Sequence, residues 1–180
     1  MPGEELVDLV DDADTVTGTA TIRDCLEKSL LHRAVAVLVI RSSGEFLLQR
    51  RSKRDLWHPG LWTLSSTGHV KAGESYDQAA RRELKEELGI TAVPERLKKQ
   101  VLPPIESRGL TEWEWVTVYV ARTDRHCKID RTEVEGVKEV DERLLRRMLR
   151  GRSMTPDAVI LLTDFLRERR STPRGPLGTL

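Results

Sequence analysis

The chain of 180 residues is short of several things at once. It has only two cysteines, Cys25 and Cys127, far apart in sequence. That excludes a disulfide framework and leads us to expect a reducing, cytoplasmic setting. Its apolar runs, such as Ala34 to Ile40, are far shorter than the roughly 18 residues of a membrane span. Net charge is nearly absent, since 30 Lys and Arg stand against 29 Asp and Glu for a sum of +1. A nucleic-acid polymer is therefore not the expected partner, because such proteins carry excess positive charge. Met1 to Asp14 contains acids and no base, the wrong sign for a signal or transit peptide. Phe and Tyr occur twice each, so the four tryptophans are half of the aromatic side chains.

What is present suffices for one folded domain. Hydrophobic residues make up 38% of the chain, enough to fill a core at this length. Residues 1–5 are expected to be a flexible start, residues 6–170 a single domain, and residues 171–180 a flexible tail rich in Pro and Gly. Leu6 to Val10 reads as a short strand before the acidic turn Asp11 to Asp14. Arg33 to Ile40 is apolar on both parities, which predicts a strand buried on both faces. Ser42 to Gly44 reads as a turn, with Phe46 to Gln49 as the returning strand. A basic loop, Arg50 to Arg54, and a short strand near Leu61 to Leu64 follow. Further strands are expected at Leu97 to Leu102, Glu112 to Ala121 and Val137 to Val140. A short helix is expected at Asp141 to Leu149. Thr155 as N-cap and Pro156 at the first helical position open a last helix to about Arg170. Strands and helices mix without strict alternation, giving an α/β domain with a mixed sheet packed against helices.

Ser75 to Leu88 is the clearest helix. Ser75 and Gln78 have the spacing of a capping box, and Gly89 stands where a glycine ends a helix. At 100° per residue, Glu83, Glu86 and Glu87 share a face beside the apolar Tyr76, Ala80 and Leu84. Like charges at this spacing repel. Carboxylates gathered at a core edge also lose solvation. A hard divalent cation relieves both penalties, and Mg²⁺ suits carboxylate and phosphate oxygens. The alternative is a solvated face neutralised by Arg81, Arg82 and Lys85.

The surrounding residues decide between these readings. Gly68, Glu74, Arg82-Glu83-Leu84, Glu86-Glu87 and Gly89-Ile90 form Gly-x5-Glu-x7-Arg-Glu-Leu-x-Glu-Glu-x-Gly-Ile. This resembles the Nudix box in every defined position, and the element order resembles a Nudix α/β/α sandwich with a loop–helix–loop catalytic motif. The resemblance implies hydrolysis of a phosphoanhydride bond in a nucleoside di- or triphosphate, or a related diphosphate, by water activated by Mg²⁺ or Mn²⁺. It implies that Glu83, Glu86 and Glu87 bind metal, with the Gly68 carbonyl completing the shell. Glu83 would orient or deprotonate water, Arg82 would position Glu83, and Glu74 would pair with Arg82. Homodimers are common in the family, so a homodimer is compatible with it.

Outside the box, His32-Arg33-Ala34, Gln49-Arg50-Arg51, Pro59-Gly60-Leu61-Trp62 and Thr67-Gly68-His69 resemble the isopentenyl-diphosphate isomerase branch and its hydrolase neighbours. That branch has metal histidines at the positions of His32 and His69, and a Glu-x-Glu pair where this chain has Glu112-Trp113-Glu114. Residues 112 and 114 would share the strand face of Val116, Val118 and Val120. Glu114 is the candidate acid outside the box, as extra metal ligand or base. Arg51 matches a diphosphate-contacting arginine, and Trp62 and His69 are candidate substrate contacts. Two departures weigh against isomerase chemistry, since Thr67 replaces the catalytic cysteine and Cys25 a metal histidine. The complete acid set favours a hydrolase. An isomerase and a non-catalytic diphosphate-sensing module are the alternatives.

Overall fold

In the computed structural model, residues 3–55 and 57–171 are described. The chain runs β1 (Leu6–Val10), β2 (Val16–Thr21), α1 (Ile22–Lys28), β3 (His32–Ile40), β4 (Phe46–Arg51), β5 (Trp62–Thr63) and β6 (Ser66–His69). It continues α2 (Tyr76–Leu88), β7 (Glu95–Val101), β8 (Ile105–Ser107), β9 (Leu110–Glu112), β10 (Glu114–Arg122), β11 (Val134–Val140), α3 (Glu142–Leu149) and α4 (Pro156–Ser171).

A mixed sheet of nine strands is built around β3. β3 runs parallel to β10 and antiparallel to β1, β4 and β6. As the apolar run on both parities requires, β3 is buried on both faces. Ala34, Ala36, Leu38 and Ile40 join Leu145 of α3 and Ala158, Leu162 and Phe165 of α4 in one core. Val35, Val37 and Val39 join Tyr76, Ala80, Leu84 and Leu88 of α2 in the other. This is the expected α/β/α sandwich.

Several local expectations change. Four elements join those expected from sequence: β2, α1, β6 and β8. Glu112 to Ala121 is not one strand. β9 turns back on β8 through Arg108 and Gly109, both at positive φ, and β10 begins only at Glu114. At the start of the chain, the carbonyls of Gly3 and Glu5 accept hydrogen bonds from Arg23 and Ile22. The Glu5 carboxylate pairs with Lys71 at 3.0 Å. Of the expected tail, residues 172–180 lie outside the described residues, and Ser171 ends α4. Cys25 and Cys127 are both free thiols. No helix among the described residues is long and apolar enough to cross a membrane.

One feature of the sheet makes the site. β3 and β4 pair only at Val39–Leu47 and Ile40–Phe46, and beyond that β6 pairs with β3 instead. Where the two strands part, a cavity of about 620 Å³ opens over Ala34, Gln49, Thr67 and Gly68.

Candidate active site

α2 delivers the first set of acids. Ser75 accepts from the Gln78 N–H, and the Gln78 side chain accepts from the Ser75 N–H, so the capping box is complete. Gly89, in the left-handed region at φ 65°, closes the helix. This fixes the rotation of α2, with Tyr76, Ala80 and Leu84 in the core. Glu83 and Glu87 are buried at the cavity wall, and Glu86 stands at the rim with about half of its side chain exposed.

Arg82 orders this set. Its Nε and Nη2 donate to the two oxygens of Glu74 at 2.9 and 2.8 Å. Nη1 donates to Glu83 Oε1 at 2.6 Å and to Glu86 Oε2 at 3.1 Å, while Nη2 also reaches the His69 carbonyl at 2.9 Å. Glu74 in turn accepts from the Lys71 N–H, which ties the loop before α2 to the helix. Glu87 is held separately, by Gln49 Nε2 at 3.1 Å to each oxygen and by the Thr67 N–H at 3.1 Å.

Burial pushes the Glu83 carboxyl well above the ordinary range, and the neighbouring Glu87 adds to the shift despite Arg82. Glu87 is raised as well, again by burial. Two buried carboxylates side by side form a set that a divalent cation would relieve, so the donors present fit the hard ion implied by the motif. Gly68 is packed against them, because a Cβ there would lie 2.1 Å from Glu83 Oε1.

A second cluster approaches from the other face of the sheet. His32 is fully buried, and its Nδ1–H donates to the Leu30 carbonyl at 2.9 Å. Its Nε2 has no hydrogen-bond partner among the described residues. Nε2 lies 3.6 Å from Glu114 Oε1, and His69 Nε2 lies 3.4 Å from the same oxygen. Ligand atoms of His32, His69 and Glu114 all fall within 4.8 Å of one another, a spacing that can hold a metal ion. Glu112 reaches the group at 3.9 Å from His69 Nε2. Burial alone would raise Glu114, but the two histidines hold it far below the usual carboxylate range. Glu112 is pushed up by burial and by Glu114 and Asp157.

A NUDIX domain model matches residues 30–158. The chain belongs to the NUDIX family. An isopentenyl-diphosphate Delta-isomerase 2 of Photorhabdus laumondii is 34% identical over 146 residues, 81% of this chain and 82% of the relative. An uncharacterised Nudix hydrolase of Pseudomonas aeruginosa is 30% identical over 162 residues, 90% of this chain and 94% of its own. A crystal structure of a Deinococcus radiodurans protein superposes with a TM-score of 0.71 at 26% identity, covering 89% of this chain and 98% of that one.

Within this NUDIX domain, most of the residues singled out from sequence line one cavity. They are Arg51, Gly68, His69, Arg82, Glu83, Glu86, Glu87, Glu112 and Glu114. Trp62 does not join them. It packs against the core beside Met154, bonded through its backbone to Ser153 and Thr155. Trp57 lines the cavity instead. The basic loop is also less free than its charge suggested. Arg51 Nη2 pairs with Asp55 at 2.7 Å and Nε donates to the Trp57 carbonyl at 2.8 Å. Only Nη1 turns to the site, 3.5 Å from Thr67 Oγ1. Arg50 and Lys53 both reach Glu135 at 3.4 Å. Cys25 sits in a small core with Ile22, Leu26 and Trp57, where burial pushes its thiol up to about 11.

Asp157 is a residue of the cavity that sequence reasoning missed. In sequence it is an ordinary first-turn acid after a Thr-Pro helix start, so nothing there marked it.

Proposed function

We propose that this NUDIX domain hydrolyses a phosphoanhydride bond of a nucleoside di- or triphosphate or a related diphosphate, in the cytoplasm, with Mg²⁺ or Mn²⁺ as cofactor. The observation that carries the reading is the Arg82 latch, which fixes Glu83 against Gly68 in a cavity that also contains Glu86 and Glu87. Glu83, Glu86, Glu87 and the Gly68 carbonyl would hold the ion. When bound, it neutralises phosphate charge and makes water a better nucleophile. Glu83 Oε1 is tied to Arg82, so its other oxygen is the one left to orient water and take its proton. Arg51 Nη1 is the donor left to meet a phosphate oxygen. Glu114 would hold a further cation with His32 and His69.

The test is divalent-dependent release of phosphate or pyrophosphate from a diphosphate panel, with Glu83→Gln and Glu87→Gln. Loss of release in both variants, with the fold intact, is expected. Full activity in both would overturn the reading.

The His32, His69 and Glu114 cluster, with Glu112 beside it, favours a second reading as an isopentenyl-diphosphate isomerase. A relative named for that activity is 34% identical. Isomer formation without phosphate release would support it. Thr67 argues against it, because a hydroxyl does not replace a thiol in proton transfer.

A further inference from the structure

β4 runs on past its pairing with β3 and carries Gln49 to the place where the two strands part. The backbone there is fixed on both sides, opposite Val137 of β11 and Thr63 of β5. Leu47 packs in the core against α2, and residue 49 shares its face of the strand. The Gln49 side chain therefore points toward α2, and it is buried.

Its Nε2 donates to both oxygens of Glu87 at 3.1 Å each, and the Thr67 N–H donates to Oε2 at 3.1 Å. A carboxylate only accepts, so the N–H₂ end of the amide is the end that must face it. Gln49 Oε1 is left buried with no hydrogen-bond partner among the described residues. A methionine would fill this space without burying an unsatisfied carbonyl. What the amide gains for that cost is its hold on Glu87.

The hold is uneven. Each carboxylate oxygen has about two acceptor positions. Oε2 of Glu87 accepts two N–H bonds, whereas Oε1 accepts one. The Ser66 hydroxyl also favours the charged carboxylate, but a hydroxyl can turn its proton elsewhere. A position on Oε1 is thus open to a cation, while Oε2 is filled. This separates two hard cations. Ca²⁺ takes bidentate carboxylates and irregular shells, whereas Mg²⁺ needs a near-octahedral shell at about 2.0–2.1 Å. A carboxylate pinned with one oxygen free suits the smaller ion. Gln49 is also neutral, so it fixes Glu87 without competing with the ion for its charge.

We infer that Gln49 is a positioning residue that makes Glu87 a ligand through Oε1 alone, and so tunes the α2 acids toward Mg²⁺ over Ca²⁺. This rests on the reading that Glu87 holds the ion, and it does not need hydrolysis.

The experiment titrates Mg²⁺ and Ca²⁺ separately into the full chain by calorimetry, at about pH 8 so that the acids can release their protons. The chains are wild type, Gln49→Met, Gln49→Asn and Glu87→Gln, and the heat lost in Glu87→Gln defines binding at this site. Gln49→Met removes both N–H bonds at similar volume. It should weaken Mg²⁺ by about 10–100-fold, the usual cost of losing a group that orients a metal ligand. Ca²⁺, freed to use both oxygens, should change far less. The ratio of the two dissociation constants should therefore move at least about tenfold toward Ca²⁺. Gln49→Asn, an amide one methylene shorter, should move it the same way. A change that only loosened the fold would weaken both ions alike. The inference is overturned if the ratio in Gln49→Met, folded by its melting curve, stays or moves toward Mg²⁺. It is also overturned if the wild type binds neither ion at Glu87. Should Gln49→Met fail to fold, Gln49→Asn decides by the same ratio. Phosphate release from the diphosphate panel is scored on the same chains. A shifted ratio with no release from any compound sinks the hydrolase reading alone. Release with an unshifted ratio sinks this inference alone.

Discussion

Gly68 and Glu83 are in such close contact that a Cβ on Gly68 would lie 2.1 Å from Glu83 Oε1 and 2.2 Å from its Cδ. Glu83 has little room to retreat, because Arg82 grips the same oxygen at 2.6 Å. Gly68→Ala should therefore displace the carboxylate rather than unfold the chain. Activity is expected to fall by about a hundredfold or more, as for a displacement of about 1 Å at a reacting group. Stability should fall by only about 1–3 kcal/mol, the usual cost of overpacking. Steady-state kinetics and a denaturant melt check this together. Wild-type activity in Gly68→Ala would mean that the placement of Glu83 does not matter.

Arg82 serves four acceptor groups, the carboxylates of Glu74, Glu83 and Glu86 and the His69 carbonyl. A lysine keeps the charge but not the planar fork that divides it among them. Arg82→Lys should lower kcat by about 10–100-fold with a smaller change in KM, as expected of a group that orients another. It should also cost about 2–4 kcal/mol, because buried carboxylates lose their partner. Adding Glu74→Gln should cost less in Arg82→Lys than in the wild type, with a coupling of about 0.5–3 kcal/mol in a double-mutant cycle. Strict additivity would show that the latch does not act as a unit.

The helix that carries these residues was legible in sequence because its caps, apolar stripe and acids lie in one continuous stretch. β3 was legible for the same reason. β2 was not, since the positions between the threonines of Val-Thr-Gly-Thr-Ala-Thr hold only Val, Gly and Ala, too weakly apolar a face to mark a strand, and α1, at seven residues, is too short to show a period. The segment around Glu112 reads as one strand in sequence because the hairpin of β8 and β9 is set by the left-handed Arg108 and Gly109, not by an apolar pattern. At the site, local sequence gave the α2 acids. It did not show that Asp55 claims part of Arg51, that Trp62 turns to the core, or that Gln49 steadies Glu87. Those depend on which strands part and where α4 docks, which are long-range facts of the fold.

Asp14 is a structural ion-pair centre away from the α2 acids, and it predicts acid sensitivity. Arg33 Nε donates to its Oδ1 at 2.6 Å, the Tyr76 hydroxyl donates to the same oxygen at 3.1 Å, and Lys99 grips the other. Burial pushes the carboxyl up, but Lys99 and Arg33 outweigh it, and the result lies below the ordinary value. A lowered folded-state pKa means stability that is present above the unfolded value and lost as pH falls through the folded one. Asp14→Asn suits the left-handed backbone, where φ is 59°. It should be less stable than the wild type by about 1–3 kcal/mol at neutral pH. The gap should close as the pH drops below about 4. Denaturant melts across that range test the sign, and a constant gap would contradict it.

The α2 acids predict the opposite slope. Burial and neighbouring carboxylates raise Glu83 to about 8, and burial raises Glu87 to about 7. In the metal-free chain, these groups therefore hold protons that the unfolded chain has already released. Their contribution to stability falls as the pH rises from the ordinary carboxyl value of 4.5 to about 8. A divalent ion needs the carboxylates deprotonated, and it relieves the repulsion that the raised values express. The Mg²⁺-induced rise in Tm should accordingly be small near pH 5.5 and grow toward about pH 8. Glu112 and Asp157 are raised as well, and Glu74 is lowered, so the slope of the whole chain mixes several groups. The difference between wild type and Glu83→Gln isolates the contribution of interest. That variant should show a shallower fall of metal-free stability with pH and a much smaller Mg²⁺ shift at about pH 8. An Mg²⁺ shift equal at both pH values, or one that survives Glu83→Gln undiminished, would place the ion away from α2.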